Sequence, residues 1–148
     1  MYTQARSPQD ADPHRQPLPA HRRPAGVMLV DDDLFMLSVL QDMLQDLGVR
    51  GITKAMGGMA ALKALDAMAV PPELIMCDLN MPGGDGFQFM EELGARGFKG
   101  AIVLMSGMNL RTMHSATLMA RFHRLRIAGS LGKPLSASAL GAVLANLG

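Results

Sequence analysis

The sequence predicts an α/β domain in which helices cover both faces of a parallel sheet. Short apolar runs alternate with helical patterns five times after residue 26. Alternation of this kind gives a doubly wound parallel sheet with right-handed crossovers. Several of the apolar runs end at a charged or hydroxyl side chain, as strands that deliver groups to a site do. A chain of 148 residues is long enough for one such domain with its own core.

The first two β-α units rest on clear start and stop signals. Residues 27–30 form a continuous apolar run, which is typical of a strand buried on both faces. A helix with apolar side chains at 3.6-residue spacing follows and ends at Gly48. A weaker strand spans 49–55. The next helix, over 59–68, must end before two consecutive prolines at 71–72.

The last three units continue the alternation. Two of their strands are continuous apolar runs, and the third is a weaker pattern. The helices between them carry apolar residues on one face. The predicted ranges are strand 74–77, helix 86–96, strand 101–105, helix 109–123, strand 127–131 and helix 136–147.

Composition limits the class of protein. No apolar run approaches the roughly 18 residues that cross a bilayer, and the first residues lack the apolar core of a secretion signal. We therefore expect a cytoplasmic protein without membrane contact. The single cysteine, Cys77, is predicted to be a small buried hydrophobe. Residues 1–25 contain five prolines and no apolar periodicity, which predicts a disordered arm before a folded domain over 26–148.

Charge is divided unevenly along the chain. Residues 27–92 hold eleven acidic side chains against three basic ones, whereas residues 93–148 hold seven basic side chains and no acidic one. Because the two halves carry opposite charge and the net charge is only +1, the sequence argues against general nucleic-acid binding. It favours a protein with one acidic and one basic surface.

Polar side chains stand at the carboxyl ends of four predicted strands. Asp31 and Asp32 follow the first strand, Asp78 the third and Ser106 the fourth, and Lys133 comes just after the fifth. The carboxyl ends of the strands in a doubly wound sheet share one edge, where ligands bind. The pattern therefore predicts that three carboxylates, a hydroxyl and an ammonium group meet there.

These groups suggest phosphoryl transfer. Three carboxylates at close range repel one another, by about 4 kcal/mol per pair at about 4 Å and an effective dielectric near 20, so they would protonate, move apart or bind a cation. Short acids on strand ends suit Mg²⁺. With a lysine and a hydroxyl opposite, the set fits transfer of a phosphoryl group to Asp78 as an acyl phosphate.

Four motifs carry a resemblance to a known family. They are Leu29–Asp33, Cys77–Gly86, Val103–Gly107 and Gly132–Pro134, in this order within residues 27–147. The chain resembles the receiver domain of bacterial two-component response regulators, of which the single-domain chemotaxis regulator is the simplest. The resemblance implies a flavodoxin-like (βα)5 fold with strand order 2-1-3-4-5.

The resemblance also implies a role for each site residue. Asp78 would accept a phosphoryl group from a histidine kinase or phosphotransfer protein. Asp32 and Asp78 would bind Mg²⁺ through their side chains, Asn80 through its backbone carbonyl and Asp31 through water.

The remaining roles concern the phosphoryl group itself. Lys133 would pair with its oxygens, and Ser106 would move to donate a hydrogen bond to one of them. The peptide bond before Pro134 would be cis. Gly107 would leave the site open to water, so the only chemistry expected is self-catalysed phosphorylation and dephosphorylation of Asp78.

Several polar residues near the motifs are predicted to be structural. Asp33 is expected to be an exposed N-cap or a first-turn acid of the first helix rather than a ligand, and Asp85 a helix cap after the Gly83-Gly84 turn rather than part of the chemistry. The four histidines have no acid or cysteine at ligand spacing and are expected at the surface: His14, His21, His114 and His123.

The sequence departs from the family at the predicted output surface. Ser130 stands where many receivers have an aromatic residue on the fifth strand. The segment Arg111–Arg126 is longer and more basic than in chemotaxis-type receivers, and this resembles receivers attached to EAL-type cyclic-di-GMP phosphodiesterases. One interpretation is that this segment binds a partner, which is either a downstream effector or a second receiver in a phosphorylation-linked dimer. The other is that it is simply a solvated helix face. The alternative function is a regulatory part or partner of such a phosphodiesterase.

Overall fold

The structure is a computed structural model that describes residues 17–20, 23–82, 85–107 and 110–147. Strands and helices alternate strictly along this part of the chain. The elements are β1 (Val27–Asp31), α1 (Leu34–Asp46), β2 (Ile52–Met56), α2 (Gly58–Ala67), β3 (Leu74–Asp78), α3 (Asp85–Ala95), β4 (Ala101–Ser106), α4 (Leu110–Phe122), β5 (Arg126–Gly132) and α5 (Ala137–Ala145).

The five strands form one parallel sheet with the order β2-β1-β3-β4-β5, which confirms the predicted fold class and strand order. Every residue of β1, β3 and β4 is buried, as continuous apolar runs require in central strands. The edge strands β2 and β5 are largely half-buried or exposed. A register shift opposite Ile102 and Val103 leaves Ala128 as an extra residue in β5.

Helices cover the two faces of the sheet in separate layers. Alternate residues of the central strands, such as Ile75 and Cys77, pack against α2, α3 and α4 in one core cluster. The intervening residues, such as Leu74 and Met76, pack against α1 and α5 in the other. The period-2 alternation of strand side chains therefore divides one run of apolar residues between two cores.

Two predicted boundaries were wrong for local reasons. The second strand begins at Ile52 rather than at residue 49, because the Val49 N–H donates to the Leu44 carbonyl and so belongs to the end of α1. Helix α2 ends at Ala67, where Met68 is already extended, so the prolines at 71–72 are not what stops it.

The end of the predicted arm is part of the folded domain. Leu18 is only 7% exposed and belongs to the core cluster under α1, and its N–H donates to the Leu47 carbonyl at 2.9 Å. The Arg23 Nε–H donates to the Leu18 carbonyl at 2.7 Å, and the Ala25 N–H donates to Glu73 Oε1 at 2.6 Å. Leu18, Arg23 and Ala25 therefore contact the folded domain, whereas residues 1–16 and 21–22 of the predicted arm lie outside the described residues.

The remaining fold-level expectations have mixed outcomes. His114 is exposed as predicted, but His123 is half-buried because it lies against Gly94 of α3. His14 and His21 lie outside the described residues. The Lys133–Pro134 peptide bond is cis, as predicted. No described helix is both long and apolar enough to cross a membrane.

Candidate functional site

Three carboxylates meet at the carboxyl edge of the sheet. Val30 of β1 pairs with Cys77 of β3, so the next residues, Asp31 and Asp78, end neighbouring strands side by side. Asp32 follows directly, and one carboxylate oxygen from each of the three acids lies within 4.8 Å of the others. The predicted clustering of the acids is thus what the strand register produces.

Lys133 brings the counter-charge. Its Nζ lies 3.0 Å from Asp78 Oδ2 and 3.5 Å from Asp31 Oδ2. Its backbone N–H donates to the Ser106 carbonyl at 2.9 Å, so the end of β4 fixes where this side chain starts. Burial lowers the pKa of the ammonium, but the hydrogen bond and charge of Asp78 outweigh that effect, and the pKa is raised overall. Lys133 therefore stays charged and holds two of the acids.

Asp31 is the least exposed acid of the group. Its carboxylate is 1% exposed, and Oδ1 accepts a hydrogen bond from the Asp33 N–H at 2.9 Å. Oδ2 is buried and accepts no hydrogen bond from the described residues. Burial, with a smaller contribution from the neighbouring charge of Asp78, raises the pKa of Asp31 to about 6 against the opposing effects of the Asp33 N–H and of Lys133.

Asp78 is 2% exposed and is held at both oxygens. Oδ1 accepts from the Asn80 N–H at 2.9 Å, and Oδ2 faces Lys133. The turn after β3 is tied to the sheet because the Leu79 N–H donates to the Met105 carbonyl at 2.8 Å. The turn places Asn80, which is exposed, directly beside the carboxylate.

Ser106 completes the predicted set at the end of β4. The residue is 1% exposed, and its Oγ makes no hydrogen bond with the described residues. A buried hydroxyl without a partner carries a free-energy cost of about 1–3 kcal/mol. The side chain is therefore available for a group that enters the site.

The donor set fits a magnesium ion. Asp31, Asp32 and Asp78 offer three carboxylates against the ammonium of Lys133, and within the described part of the chain Asp31 Oδ2 accepts no hydrogen bond. Carboxylate and carbonyl oxygens with room for water are the ligands that Mg²⁺ prefers. Asp32 is exposed, which leaves one side of the cluster open to solvent.

Two neighbouring aspartates have structural positions. Asp33 is the N-cap of α1, and its Oδ1 accepts from the Phe35 N–H at 3.0 Å, which confirms its predicted role. Asp85 is the first residue of α3, but its Oδ2 accepts from the Gly58 N–H of α2 at 2.5 Å. The predicted cap was that of α3, whereas the carboxylate caps α2, so a cap on its own helix stays a prediction. This link was not predicted from the sequence; the available signal was the Gly57-Gly58 pair, which offers no side chain to cap α2.

Cys77 and Ser130 behave as their surroundings dictate. Cys77 is fully buried, and burial raises the pKa of its thiol, so it is a small core residue as predicted. Ser130 is exposed on the edge strand β5 and carries no ring that could pack towards the site.

A cavity of about 730 Å³ opens at the opposite, amino edge of the sheet. Arg23, Arg126 and Glu73 line it together with the end of α5. The negative end of that helix and Glu73 oppose the two guanidinium groups, so the cavity favours neither sign of ligand charge. It is remote from the acidic cluster.

The sequence is similar to a protein family and to proteins of known name. Residues 27–145 match the response regulator receiver domain family. The chemotaxis protein CheY of Listeria monocytogenes is 25% identical over 87 residues, which cover 59% of this chain and 71% of that protein. The nitrate/nitrite response regulator protein NarL of Escherichia coli is 30% identical over 93 residues, or 61% of this chain and 41% of that protein.

Solved structures agree on the fold. A response regulator from Colwellia psychrerythraea superimposes with a TM-score of 0.70 at 24% identity, covering 80% of this chain and 91% of that one. The receiver domain of an HD domain-containing protein from Pseudomonas fluorescens gives a TM-score of 0.70 at 23% identity, covering 84% and 94%. With the matched motifs and the acidic cluster, these likenesses place the chain in the response regulator receiver domain family, the phosphorylation-dependent signalling switches of bacterial two-component systems.

Proposed function

We propose that Asp78 is the phosphoacceptor of this switch. The observation that carries the proposal is its position: a buried carboxylate at the end of β3 with Lys133 Nζ 3.0 Å from Oδ2 and two further acids beside it. Asp31 and Asp32 lie at the end of the neighbouring strand β1, where their negative charges offset the positive charge of Lys133. Asp78 ends β3, the middle strand of the five-stranded sheet.

The transfer step follows from the chemistry of a carboxylate. An oxygen of Asp78 attacks the phosphorus of a phosphohistidine on the donor and forms a new P–O bond. The P–N bond breaks, and its electron pair returns to the imidazole nitrogen of the donor. Lys133 lies where it can pair with the phosphoryl oxygens, and the Ser106 hydroxyl, which makes no hydrogen bond with the residues that the structure describes, can donate one to a phosphoryl oxygen.

The residues that would hold Mg²⁺ are Asp32 and Asp78 through their side chains, Asn80 through its backbone carbonyl and Asp31 through water. A bound Mg²⁺ would offset the negative charge of the carboxylates and of an incoming phosphoryl group. Asp31 keeps Lys133 beside Asp78 through its own ion pair, at 3.5 Å.

The partners follow from the surfaces around the site. The donor is a histidine kinase or phosphotransfer protein, and the exposed side chains Phe35 and Met59, 73% and 75% accessible, offer apolar contact at the site rim. The chain acts in the cytoplasm and has no enzymatic activity beyond the formation and hydrolysis of its own acyl phosphate.

The output surface is the basic segment Arg111–Arg126 on α4 and the start of β5. Phosphorylation adds about −1.5 to −2 charges beside Ser106, from which the chain leads directly into this segment. With Ser130 in place of an aromatic residue, α4 itself contacts a downstream effector or a second receiver. The weaker similarity to receivers of EAL-type phosphodiesterases stays a prediction, because the family match covers only the receiver domain.

The experiment compares wild type with Asp78→Asn after incubation with acetyl phosphate and Mg²⁺. We expect intact-mass spectrometry to show one added phosphoryl group on wild type and none on the variant. Asp33→Asn is the matched control, since that acid is an exposed N-cap and an asparagine keeps the cap. The proposal fails if Asp78→Asn is labelled as fully as wild type, or if wild type takes up no phosphoryl group.

A further inference from the structure

The carboxylate of Asp85 links two helices beside the acidic cluster. Asp85 begins α3, and its Oδ2 accepts the Gly58 N–H of α2 at 2.5 Å. Helix α2 has Gly57 at its N-cap position and no side-chain cap of its own. The first N–H groups of a helix have no partner within it, so this carboxylate from another helix satisfies one of them.

The same junction is tied to the acidic cluster by the preceding residue. The Gly57 N–H donates to the backbone carbonyl of Asp31 at 3.2 Å. Gly57 has a φ of +94°, a conformation that other residues rarely adopt. Consecutive N–H groups thus point to Asp31 on one side and to Asp85 on the other.

The fit around Gly58 is close. A Cβ on Gly58 would lie 2.9 Å from Asp85 Oδ1 and 3.1 Å from Oδ2. The absence of a side chain at this position is therefore what allows the carboxylate to reach the backbone. Any larger residue at 58 would displace Asp85.

We propose that Asp85 is a positioning residue for the acidic cluster. By holding Gly58, it fixes the Gly57–Gly58 junction, which in turn holds the carbonyl of Asp31 and so the end of β1 where the carboxylates converge. The proposal rests on the proposed function, because it concerns the ion-binding and phosphoryl-accepting state of the same cluster. It assigns Asp85 an effect on the site although Asp85 touches none of the reacting atoms.

The chain contains a matched control for this link. At the other end of the same two helices, Arg96, directly after α3, binds Asp66 of α2, with Nε 2.9 Å from Oδ1 and Nη2 2.9 Å from Oδ2. Asp66→Ala breaks a contact between the same helices, far from β1. A general loosening of α2 against α3 would therefore follow from either substitution, whereas an effect on the cluster would follow only from the change at Asp85.

The test measures Mg²⁺ binding by calorimetry in the full chain, with wild type, Asp85→Ala, Asp85→Asn and Asp66→Ala. We expect Asp85→Ala to weaken Mg²⁺ binding about tenfold, the size of effect seen when a group that orients a metal ligand is removed. Asp85→Asn keeps an oxygen that can accept the Gly58 N–H and should stay within about twofold of wild type. Asp66→Ala should leave Mg²⁺ affinity unchanged.

A second variant tests the same contact from the other side. Gly58→Ala should reproduce the loss caused by Asp85→Ala, and the double variant should lose little more than either single one, because both remove one interaction. The inference is overturned if Asp85→Ala binds Mg²⁺ as tightly as wild type. It is also overturned if Asp66→Ala loses as much Mg²⁺ affinity as Asp85→Ala, or if the losses of affinity in the double variant are additive. Circular dichroism checks that every variant is folded.

Failure of the proposed function has a different signature. If wild type binds Mg²⁺ and acetyl phosphate still gives no adduct, Asp78 is not a phosphoacceptor, yet the effect of Asp85 on Mg²⁺ affinity can be read as before. If Asp78 is labelled and Asp85→Ala binds Mg²⁺ like wild type, only the positioning role is lost.

Discussion

Asp31 shows how burial sets the chemistry of one residue. Its carboxylate is enclosed at the end of β1, where it accepts a backbone hydrogen bond from Asp33 and where Lys133, at 3.5 Å, opposes the charge of Asp78. Burial therefore raises its pKa to about 6. The folded protein holds this proton more tightly than the unfolded chain does.

The raised pKa predicts how Mg²⁺ binding changes with pH. A cation competes with the proton on Asp31, so affinity should be constant above about pH 7 and fall by up to about tenfold per pH unit below about pH 6. Calorimetric titrations between pH 5 and 8, values chosen to bracket that pKa, measure this. Asp31→Asn should bind Mg²⁺ more weakly at neutral pH and lose this dependence, whereas an unchanged pH profile in the variant would contradict the assignment.

The same shift makes a prediction for the metal-free protein. A raised acid pKa stabilises the fold at low pH, and this contribution is lost as pH rises from about 3.8 through about 6. Asp31→Asn should therefore raise the melting temperature at pH 7 without metal, as followed by circular dichroism. If the variant melts at or below the wild-type temperature there, the ionised carboxylate is not a destabilising group.

At the scale of elements, three helices end in the same backbone motif. After α1 and α3, the left-handed position is filled by Gly48 and Gly97, with φ of +91° and +67°. In each case the next N–H donates back to a helix carbonyl five residues earlier. Helix α4 ends in the same way, but Arg124 occupies the left-handed position with φ of +59°.

Replacing this arginine should stabilise the protein. A residue with a Cβ destabilises the fold by about 1–2 kcal/mol when it adopts the left-handed conformation. Glycine avoids this cost, but part of the gain is lost because glycine also makes the unfolded chain more flexible. Arg124→Gly should therefore raise the free energy of unfolding by about 1 kcal/mol in urea denaturation. Arg121→Gly, inside the last turn of α4, should lower it by a similar amount. A loss of stability in Arg124→Gly would show that the arginine side chain makes a stronger contribution than its backbone strain.

At the scale of the whole molecule, residues before β1 act as a strap. Leu18 fills the core cluster under α1, and Arg23 holds its carbonyl while lying against Gly48. The family match begins only at residue 27, so this packing adds to the shared fold. It joins the amino edge of the sheet to the end of α1.

Truncating Leu18 should therefore destabilise the domain. Loss of a buried leucine side chain at the margin of a core costs about 2 kcal/mol. Leu18→Ala should lower the free energy of unfolding by about that amount in urea, while Val70→Ala, at a side chain 79% exposed, should change it little. Equal stability of wild type and Leu18→Ala would mean that the strap does not contribute to the fold in solution.

Long local patterns made much of this molecule predictable from its sequence. Continuous apolar runs identified β1, β3 and β4, and Gly48 marked the end of α1, because these signals depend on neighbouring residues alone. The acids at strand ends were also predictable, since parallel strands share an edge. The motifs added the strand order and the expected role of each site residue.

Contacts between residues distant in the sequence were decided only by the tertiary structure. The cap that Asp85 gives to α2 spans 27 residues, and the ion pairs of Lys133, the residue after β5, reach the ends of β1 and β3. From the sequence, Leu18 is predicted to belong to a proline-rich tail, whereas in the structure it packs against the end of α1. In each case the sequence supplies a group able to bind or pack, but only the folded chain brings its partner within reach.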